Sequence, residues 1–477
     1  MLNPTIINQT DTSINAGCKR AVVLGAGIAG LLAARALANW FDHVIVIERD
    51  RFPDHPAPRS GVPQSYQLHV LITQGQRIVE QLFPGFRDQL AEQGAPLIDW
   101  AADCPLLLPQ GWSPRFKSDL TTYASSRNLL ESLLRQQLTQ YKAIEFLTET
   151  QVTGLFTNPD HTAVLGVQTR DHQNHQRSIL AQIVVDASGR NSKTPQWLQQ
   201  MGYGMPQQEV VNSFLGYASR LYGGWNDQAV PYKALYIMPK APDYPRGGVM
   251  YQIEHGQWMV VCIGVGRDYP PTDEAGFLQF AQSLRSPEIY EAIRQAEPIS
   301  PIYGYRRTEN CWRHYEHLSS FPKNFVVLGD AVCAFNPVYG QGMTVAALGA
   351  LQLDRWLQQH QHSLEQGKSG LTRQFQQQLA QVIQTPWLIA TGDDFRWATT
   401  EGKAPKGVTK VIHRYLDQVI QAASQDPEVY AAFISVIHMV KPPTLFLHPR
   451  IVRSVLRSGW SWSQRRSLES QGISMRG

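Results

Sequence analysis

Ala21-Val22-Val23-Leu24-Gly25-Ala26-Gly27-Ile28-Ala29-Gly30-Leu31 decides how this chain is read. The four leading apolar residues read as a buried strand, and Leu31 to Ala38 continues in an Ala/Leu-rich helical pattern. Val44-Ile45-Val46-Ile47 is a second apolar run that ends in Glu48, 18 positions after Gly30. The G-x-G-x-x-G turn therefore sits inside a βαβ unit. Gly25 permits the tight turn, Gly27 lets backbone approach a pyrophosphate, and Gly30 lets helix pack close to strand. The backbone of Ala26, Ile28 and Ala29 completes the turn, where unpaired N–H groups and the helix dipole favour phosphate. Glu48 can accept hydrogen bonds from a ribose. A dinucleotide site is expected, against the blander alternative of a glycine-rich turn in an ordinary α/β domain.

A second segment lies almost 300 residues on. Phe325-Val326-Val327-Leu328-Gly329-Asp330 reads as a buried strand ending in Gly-Asp, and Pro337-Val338-Tyr339-Gly340-Gln341-Gly342-Met343 leads into a long helical stretch. An Asp at a strand end can bind a sugar-like hydroxyl, and a Gly-x-Gly at a helix start can aim N–H groups at an anionic ring edge. A third segment, Ile183-Val184-Val185-Asp186-Ala187-Ser188-Gly189-Arg190, is a strand followed by a turn.

These three motifs, in this order, resemble those of the class A FAD-dependent monooxygenases. The resemblance implies that Asp330, after Gly329, holds the ribityl chain of FAD. It places Pro337, Gly340, Gly342 and Met343 at the flavin's pyrimidine edge. It also puts Asp186, Gly189, Arg49 and Val152 beside the cofactor. Arg59-Ser60-Gly61-Val62-Pro63-Gln64, Leu82-Phe83-Pro84-Gly85 and His438 to Phe446 are similar to the flavin epoxidases of polyketide and polyene natural products, relatives of squalene epoxidase and geranylgeranyl reductase. By that resemblance Arg59 approaches the flavin or its phosphates, and Arg127 sits near the pyrophosphate. Each is also readable as a solvated surface arginine. Gln67 stands where that subgroup usually has His, so that histidine's role does not carry over.

The expected fold class is α/β, α+β overall: a Rossmann-like FAD-binding βαβ domain, an inserted β-sheet substrate domain and a helical C-terminal region. The FAD domain is discontinuous, over residues 18–84, 119–204 and 300–350. Residues 85–118 and 205–299 form the substrate domain, 351–477 the helical region and 1–17 a polar tail. Within the insert, Val210 to Arg220, Ala234 to Met238, Val249 to Glu254 and Trp258 to Val265 read as strands, with His255-Gly256-Gln257 as a hairpin loop. The glutamines around 358–366 and 374–378 read as a solvated face.

Composition bounds the rest. The 477 residues carry 17% charged side chains and a net charge of +4, so nothing calls for nucleic acid. Five scattered cysteines form no CxxC pair, which fits a reducing cytoplasm and offers neither a disulfide framework nor a metal site. No run approaches the ~20 apolar residues of a membrane span. After residue 445, Arg450, Arg453, Arg457, Arg465, Arg466 and Arg476 interleave with Phe446, Ile451, Val452, Val455, Leu456, Trp460 and Trp462. This basic amphipathic stretch reads as a surface helix packed on the body, or else as a peripheral membrane contact.

The resemblance implies a cytoplasmic enzyme of secondary metabolism. Such an enzyme transfers one oxygen atom of O2 to a lipophilic small molecule, by epoxidation or hydroxylation, through a flavin C4a-hydroperoxide. NAD(P)H is the electron donor, directly or through a separate flavin reductase. No catalytic side chain is required; His69 is the one candidate acid/base, and is equally readable as structural. Tyr217, Tyr236 and Tyr251, with Tyr222, Trp225 and Tyr232, are candidates to line the pocket, while Arg220 and Arg246 are weaker ones. The rival readings are a flavin reductase of polyprenyl double bonds, like geranylgeranyl reductase, and a non-enzymatic escort-type protein. A halogenase is disfavoured because the Trp-x-Trp-x-Ile-Pro signature is absent.

Overall fold

The computed structural model describes residues 18–223, 230–404 and 407–457. The expected tail over 1–17, Trp225, and the tryptophans and arginines from 460 onward lie outside these residues. Strand β1 (Arg20–Leu24), helix α1 (Ile28–Leu37) and strand β2 (His43–Ile47) form the βαβ unit. β1 is the centre of a five-stranded sheet ordered Phe325–Val327, Ile183–Asp186, β1, β2, Ile144–Leu147. All its pairings are parallel, with Val22 level with Val184 and Ile45. Strands buried on both faces need continuous Val/Ile runs, which is what these segments supply. The three motif-bearing strand ends, Leu24, Asp186 and Val327, lie side by side in register. That register brings residues 160 and 300 positions apart to one sheet edge, the usual place for a ligand in an open α/β sheet.

The insert is an antiparallel sheet built on β3 (Gly216–Gly223), β4 (Ala234–Ile237), β5 (Arg246–Gln252) and β6 (Trp258–Gly264), ordered β3-β6-β5-β4. Leu106–Leu108 extends it by pairing parallel to β4, with Leu106 opposite Tyr236. Strand alternation gives the sheet two faces. Ala218 and Tyr222 pack outward with Trp258, Val260 and Cys262 against Phe277, Phe280 and Ile289 of two covering helices. Tyr217, Val261 and Ile263 point the other way, with Tyr236 and Val249.

The run Val210 to Arg220, expected as one strand, is two. Gln207–Val211 pairs with Asn310–His314, whereas β3 pairs with β6. Between them Phe214 takes a φ of 51°, and the chain turns from one sheet to the other.

Four long helices follow: α2 (Gly342–Glu365), α3 (Leu371–Asp394), α4 (Val408–Ala423) and α5 (Pro427–Ile437). α2 buries Leu353, Trp356 and Leu357 in the cofactor domain's core. Its Asp354 accepts hydrogen bonds from Asn39 Nδ2 (2.9 Å) and Trp40 Nε1 (2.8 Å) at the end of α1. The glutamine-rich face is not wholly solvated. Gln376 is 2% exposed and its Nε2 donates to Val327 O at 3.1 Å.

Of the expected basic tail, Phe446, Ile451 and Val455 are buried against α5, while Leu456 is exposed. Among the described residues no helix is long and apolar enough to cross a membrane.

Candidate functional site

The glycine turn is held from behind. Ala26 N–H donates to Glu48 Oε2 at 2.8 Å, tying the turn to the end of β2. Gly25 has a φ of +91°, and a Cβ on Gly30 would fall 1.8 Å from Gly25 O, so both positions require glycine. Gly27 differs: an ideal Cβ there meets only Arg127 Nη2, at 3.9 Å. Its open side faces a cavity of about 570 Å³.

That cavity brings together most of the expected cofactor residues: Gly25, Gly27, Ile28, Ala29, Glu48, Arg49, Arg59, Arg127, Val152, Gly189, Asp330, Pro337, Gly340, Gly342 and Met343. His69 lines it as well. Four others stand behind its wall. Ala26 and Gly30 are the turn's internal supports. Gly329 lets the strand end approach α1, where a Cβ would sit 2.6 Å from that of Ala29.

Asp186 is the clearest departure from expectation. It is fully buried and accepts hydrogen bonds from Ser188 N (2.9 Å) and from the hydroxyls of Ser188, Ser192 and Thr194 (each 2.5 Å). Its lone pairs are spent on shaping the turn that presents Gly189, so it is a brace and not a wall residue.

The arginines divide similarly. Arg59 donates through Nε to Glu131 (2.7 Å), through Nη1 to Asp50 (2.9 Å) and through Nη2 to Ala26 O (3.2 Å); Glu48 lies 3.1 Å from Nη1. With every arm engaged by protein, Arg59 braces the glycine turn against the end of β2 and is no free phosphate cation. Neither arginine is a solvated surface residue.

Arg127 opens the helix Arg127–Leu138. Ser126 caps it, accepting from Leu129 N–H at 3.1 Å while donating to Glu254 of the insert at 2.5 Å. Arg127's contacts to Glu131 are long, 3.3–3.4 Å, and its Nη2 is the side-chain atom nearest Gly27. Its guanidinium is thus the cation beside the open flank of Gly27. The acids Glu48, Asp50 and Glu131 balance Arg59, Arg127 and Arg135. Burial alone would raise the carboxyls of Asp50 and Glu131, but the facing arginines and hydrogen bonds hold both below their ordinary values.

Asp330 is different. Burial pushes its carboxyl up, opposed by Arg190, Arg127 and Arg313. Among the described residues no side chain or backbone N–H donates to its carboxylate, which leaves it an acceptor at the cavity wall. His69 is held at about 4 by burial and by Arg127, and its Nδ1 is 2.9 Å from Gln67 O. The carbonyl can only accept, so Nδ1 carries the proton, and His69 is neutral near pH 7.

A second cavity, of about 480 Å³, adjoins the first. Gln67, Leu68, Val70, Tyr217, Pro337, Gly340 and Gln341 line both. Its walls are mainly apolar: Val249, Val261 and Ile263 from the insert, and Ile420, Phe433 and Ile437 from α4 and α5. Tyr217, Tyr236 and Tyr251 face it, whereas Tyr222 and Tyr232 belong to the outer face. Arg220 and Arg246 also lie away from it, paired with Glu274 and Asp268.

Sequence reasoning did not place the contribution of the C-terminal helices: Asp393, Asp394 and Arg396 at the end of α3, and Tyr430 and His438. An Asp-Asp pair closing an otherwise amphipathic helix was the one available signal.

The residues present fit FAD. The open flank of Gly27 is a cradle that a side chain would fill, Arg127 stands beside it, and Asp330 offers an unpaired carboxylate. Gln341, 1% exposed at the junction of the cavities, keeps its Oε1 without a hydrogen bond.

Comparison with known proteins decides the family. The chain is 32% identical over 429 residues to Protein Rv3254 of Mycobacterium tuberculosis, spanning 87% of this chain and 88% of that one. The model of the FAD dependent oxidoreductases matches residues 21–192. This chain belongs to the family of Protein Rv3254, among the FAD-dependent oxidoreductases.

This flavoenzyme is also 26% identical over 367 residues to kynurenine 3-monooxygenase of Salinispora tropica, covering 72% and 73% of the two chains. Its fold is shared with PqsL of Pseudomonas aeruginosa, solved with 2-aminobenzoylacetate, at a TM-score of 0.59 and 17% identity over 80% of this chain and 98% of that one. It is shared too with the flavin-dependent brominase Bmp2, at a TM-score of 0.62 and 12% identity over 93% and 99%.

Proposed function

We propose that this FAD-dependent monooxygenase inserts one oxygen atom from O2 into a lipophilic substrate held in the 480 Å³ cavity. The observation that carries the reading is the junction. A mostly apolar chamber opens onto the dinucleotide cavity at the Pro337–Gly342 loop, where the resemblance puts the flavin ring. FAD, reduced by NAD(P)H, supplies the activation of O2. The protein's own residues do the rest. Gly27, Arg127, Glu48 and Asp330 hold the cofactor, Tyr217 and the insert's aliphatic residues orient the substrate, and α4 and α5 add apolar wall through Ile420, Phe433 and Ile437. A dry chamber matters because water diverts activated oxygen to peroxide.

The named relative that acts on kynurenine and the structure solved with 2-aminobenzoylacetate favour an aromatic ring as the group attacked. The test is turnover under labelled oxygen gas with NADPH and lipophilic phenols or alkenes. One labelled atom in the product is expected; the mass of the product also separates a phenol from an epoxide. Label found only in hydrogen peroxide for every substrate tried would sink the reading. Saturation of a double bond without oxygen would put the polyprenyl reductase in its place.

A further inference from the structure

The wall that α5 gives the chamber is apolar or aromatic up to the residue that caps the helix. Tyr430, Phe433, Ile434, Ile437 and His438 line the cavity at the three- and four-residue spacing of one helix face. His438 is the cap, and it is 4% exposed. Its ring is fixed from behind the wall. Nδ1 lies 2.9 Å from Thr73 Oγ1 and accepts from Thr73 N–H at 3.3 Å, while His438 O accepts from Gln74 N–H at 3.2 Å. These are the first N–H groups of the helix Thr73–Leu82, which have no acceptor within their own helix. An amide N–H can only donate, so Nδ1 is bare and Nε2 carries the proton. Burial holds the ring at about 3, so it is neutral near pH 7. Past the cap, Met439 takes a φ of 56°, with Met439 N–H bonded to Val436 O at 2.9 Å and Val440 N–H to Ser435 O at 3.0 Å. The histidine is therefore held by its backbone as well as by its ring.

Nε2–H is left over. Among the described residues no protein group accepts from it, yet it is not sealed in the core as Trp356 Nε1 is. It opens on the chamber. The polar atoms around it are committed elsewhere. Trp100, whose ring stands edge-on to the imidazole at 4.6 Å, donates through Nε1 to Thr122 Oγ1 at 2.9 Å. Tyr251 hydrogen-bonds to Thr122 and Tyr430 to Ser113. A buried donor without an acceptor is costly. Capping alone accounts for Nδ1, a task that Asn, Asp, Ser or Thr performs as well, but not for a proton-bearing Nε2 turned to the cavity. We propose that His438 Nε2–H binds a carbonyl oxygen of the substrate, which is a lipophilic ketone, quinone or ester. The proposal rests on the monooxygenase reading and narrows it from any lipophile to one that carries this group.

The surroundings select the carbonyl over other oxygen groups. A hydroxyl in the same place would leave its own hydrogen among Ile434, Ile437 and the Trp100 ring. A carboxylate would need a cation, and burial is the one influence on the His438 proton among the described residues, so no charged side chain stands close. A carbonyl accepts and needs nothing in return. The bond also orients the molecule. Ile72, the residue before Thr73, lies 3.8 Å from the Cβ position of Gly340 in the loop where the two cavities meet. The histidine's anchor and that loop are packed on each other. A carbonyl held at Nε2 therefore sets which part of the apolar skeleton reaches the junction.

The experiment is equilibrium dialysis of the FAD-loaded protein against 2-acetylnaphthalene and against 2-ethylnaphthalene, which has the same shape without the oxygen. The readout is the ratio of the two affinities in wild type and in His438→Asn, a comparison that cancels the difference in hydrophobicity. The asparagine oxygen can still accept from Thr73 N–H, while its short amide stops before the chamber. The ratio is expected to fall by about fivefold or more in favour of the hydrocarbon. The infrared band of the bound ketone, labelled with carbon-13 at its carbonyl, is expected below its position in hexane and to return there in His438→Asn. If His438→Asn loses its flavin, the band in the wild type decides. An unchanged ratio, a wild-type band at the hexane position, or a chamber that takes neither compound overturns the proposal. Carbonyl binding without labelled oxygen in any product leaves the donor standing and removes the monooxygenase reading. Labelled oxygen entering alkenes or phenols, with an unchanged ratio in His438→Asn, does the reverse.

Discussion

Two glycines three residues apart are expected to fail in opposite ways. Gly27 has φ −75° and ψ 179°, values open to any residue, and its Cβ position is clear to 3.9 Å. Gly27→Val should therefore fold, with its methyl groups in the space that a pyrophosphate needs. Removing two charge-assisted hydrogen bonds costs roughly 3–6 kcal/mol, about 10²- to 10⁴-fold in dissociation constant. Gly30→Ala puts a methyl 1.8 Å from Gly25 O, a backbone atom that cannot rotate away. Helix and strand must part, so the loss should exceed the roughly 1–3 kcal/mol of ordinary overpacking. Fluorescence quenching on titrating apo-protein with FAD reads the first effect, and thermal melting by circular dichroism reads the second. A Gly27→Val protein that binds FAD at wild-type strength would refute the placing of the phosphates. A Gly30→Ala protein that melts normally would refute the packing argument.

Asp330→Ala should keep the fold and weaken FAD by roughly 1.5–3 kcal/mol, about ten- to a hundredfold; an unchanged dissociation constant would take Asp330 off the ribityl chain. The cofactor cavity is lined by no cysteine and, among the described residues, by a single histidine whose Nδ1 already bonds Gln67 O. FAD should accordingly leave on heat or acid, and a yellow pellet after precipitation would contradict that. His438 is held at about 3 by burial, with Nδ1 2.9 Å from Thr73 Oγ1. A depressed histidine stabilises the fold above its ordinary value of 6.5, and that stability drains away as pH falls towards 3. The span is worth roughly 5 kcal/mol. Urea unfolding from neutral to acid pH should therefore be less pH-dependent in His438→Gln than in the wild type, and identical slopes would show that His438 charges freely.

The cofactor half of this molecule was legible because its physics is local. A tight turn, a close approach and a helix start each demand particular residues within a dozen positions of one another, so the stretch from Val22 to Glu48 reads correctly on its own. Asp186 shows where that logic stops. A Asp-x-x-Gly pattern looks the same whether the carboxylate meets a ligand or its own turn. Only the positions of Ser188, Ser192 and Thr194 distinguish the two. Arg59 misled for a similar reason, since its partners Asp50 and Glu131 lie 9 and 72 residues away. The substrate chamber was the least legible part. Its polar corner joins Ser213, Asn310, Asn336 and Asp394, from four separate segments of chain, and periodicity carries no record of such meetings. The aromatic candidates separated by strand parity once the break at Phe214 fixed the register of β3.

The wall common to the two cavities has a thermodynamic consequence. Gln67, Tyr217, Pro337, Gly340 and Gln341 belong to both chambers, so a molecule that fills one touches residues that wall the other. Whatever factor the substrate adds to the grip on FAD, FAD must add to the grip on substrate, because the two binding free energies close one cycle. A compound that tightened FAD binding would itself be held more tightly by the FAD-loaded protein, and one that loosened FAD would be held less tightly by the same factor.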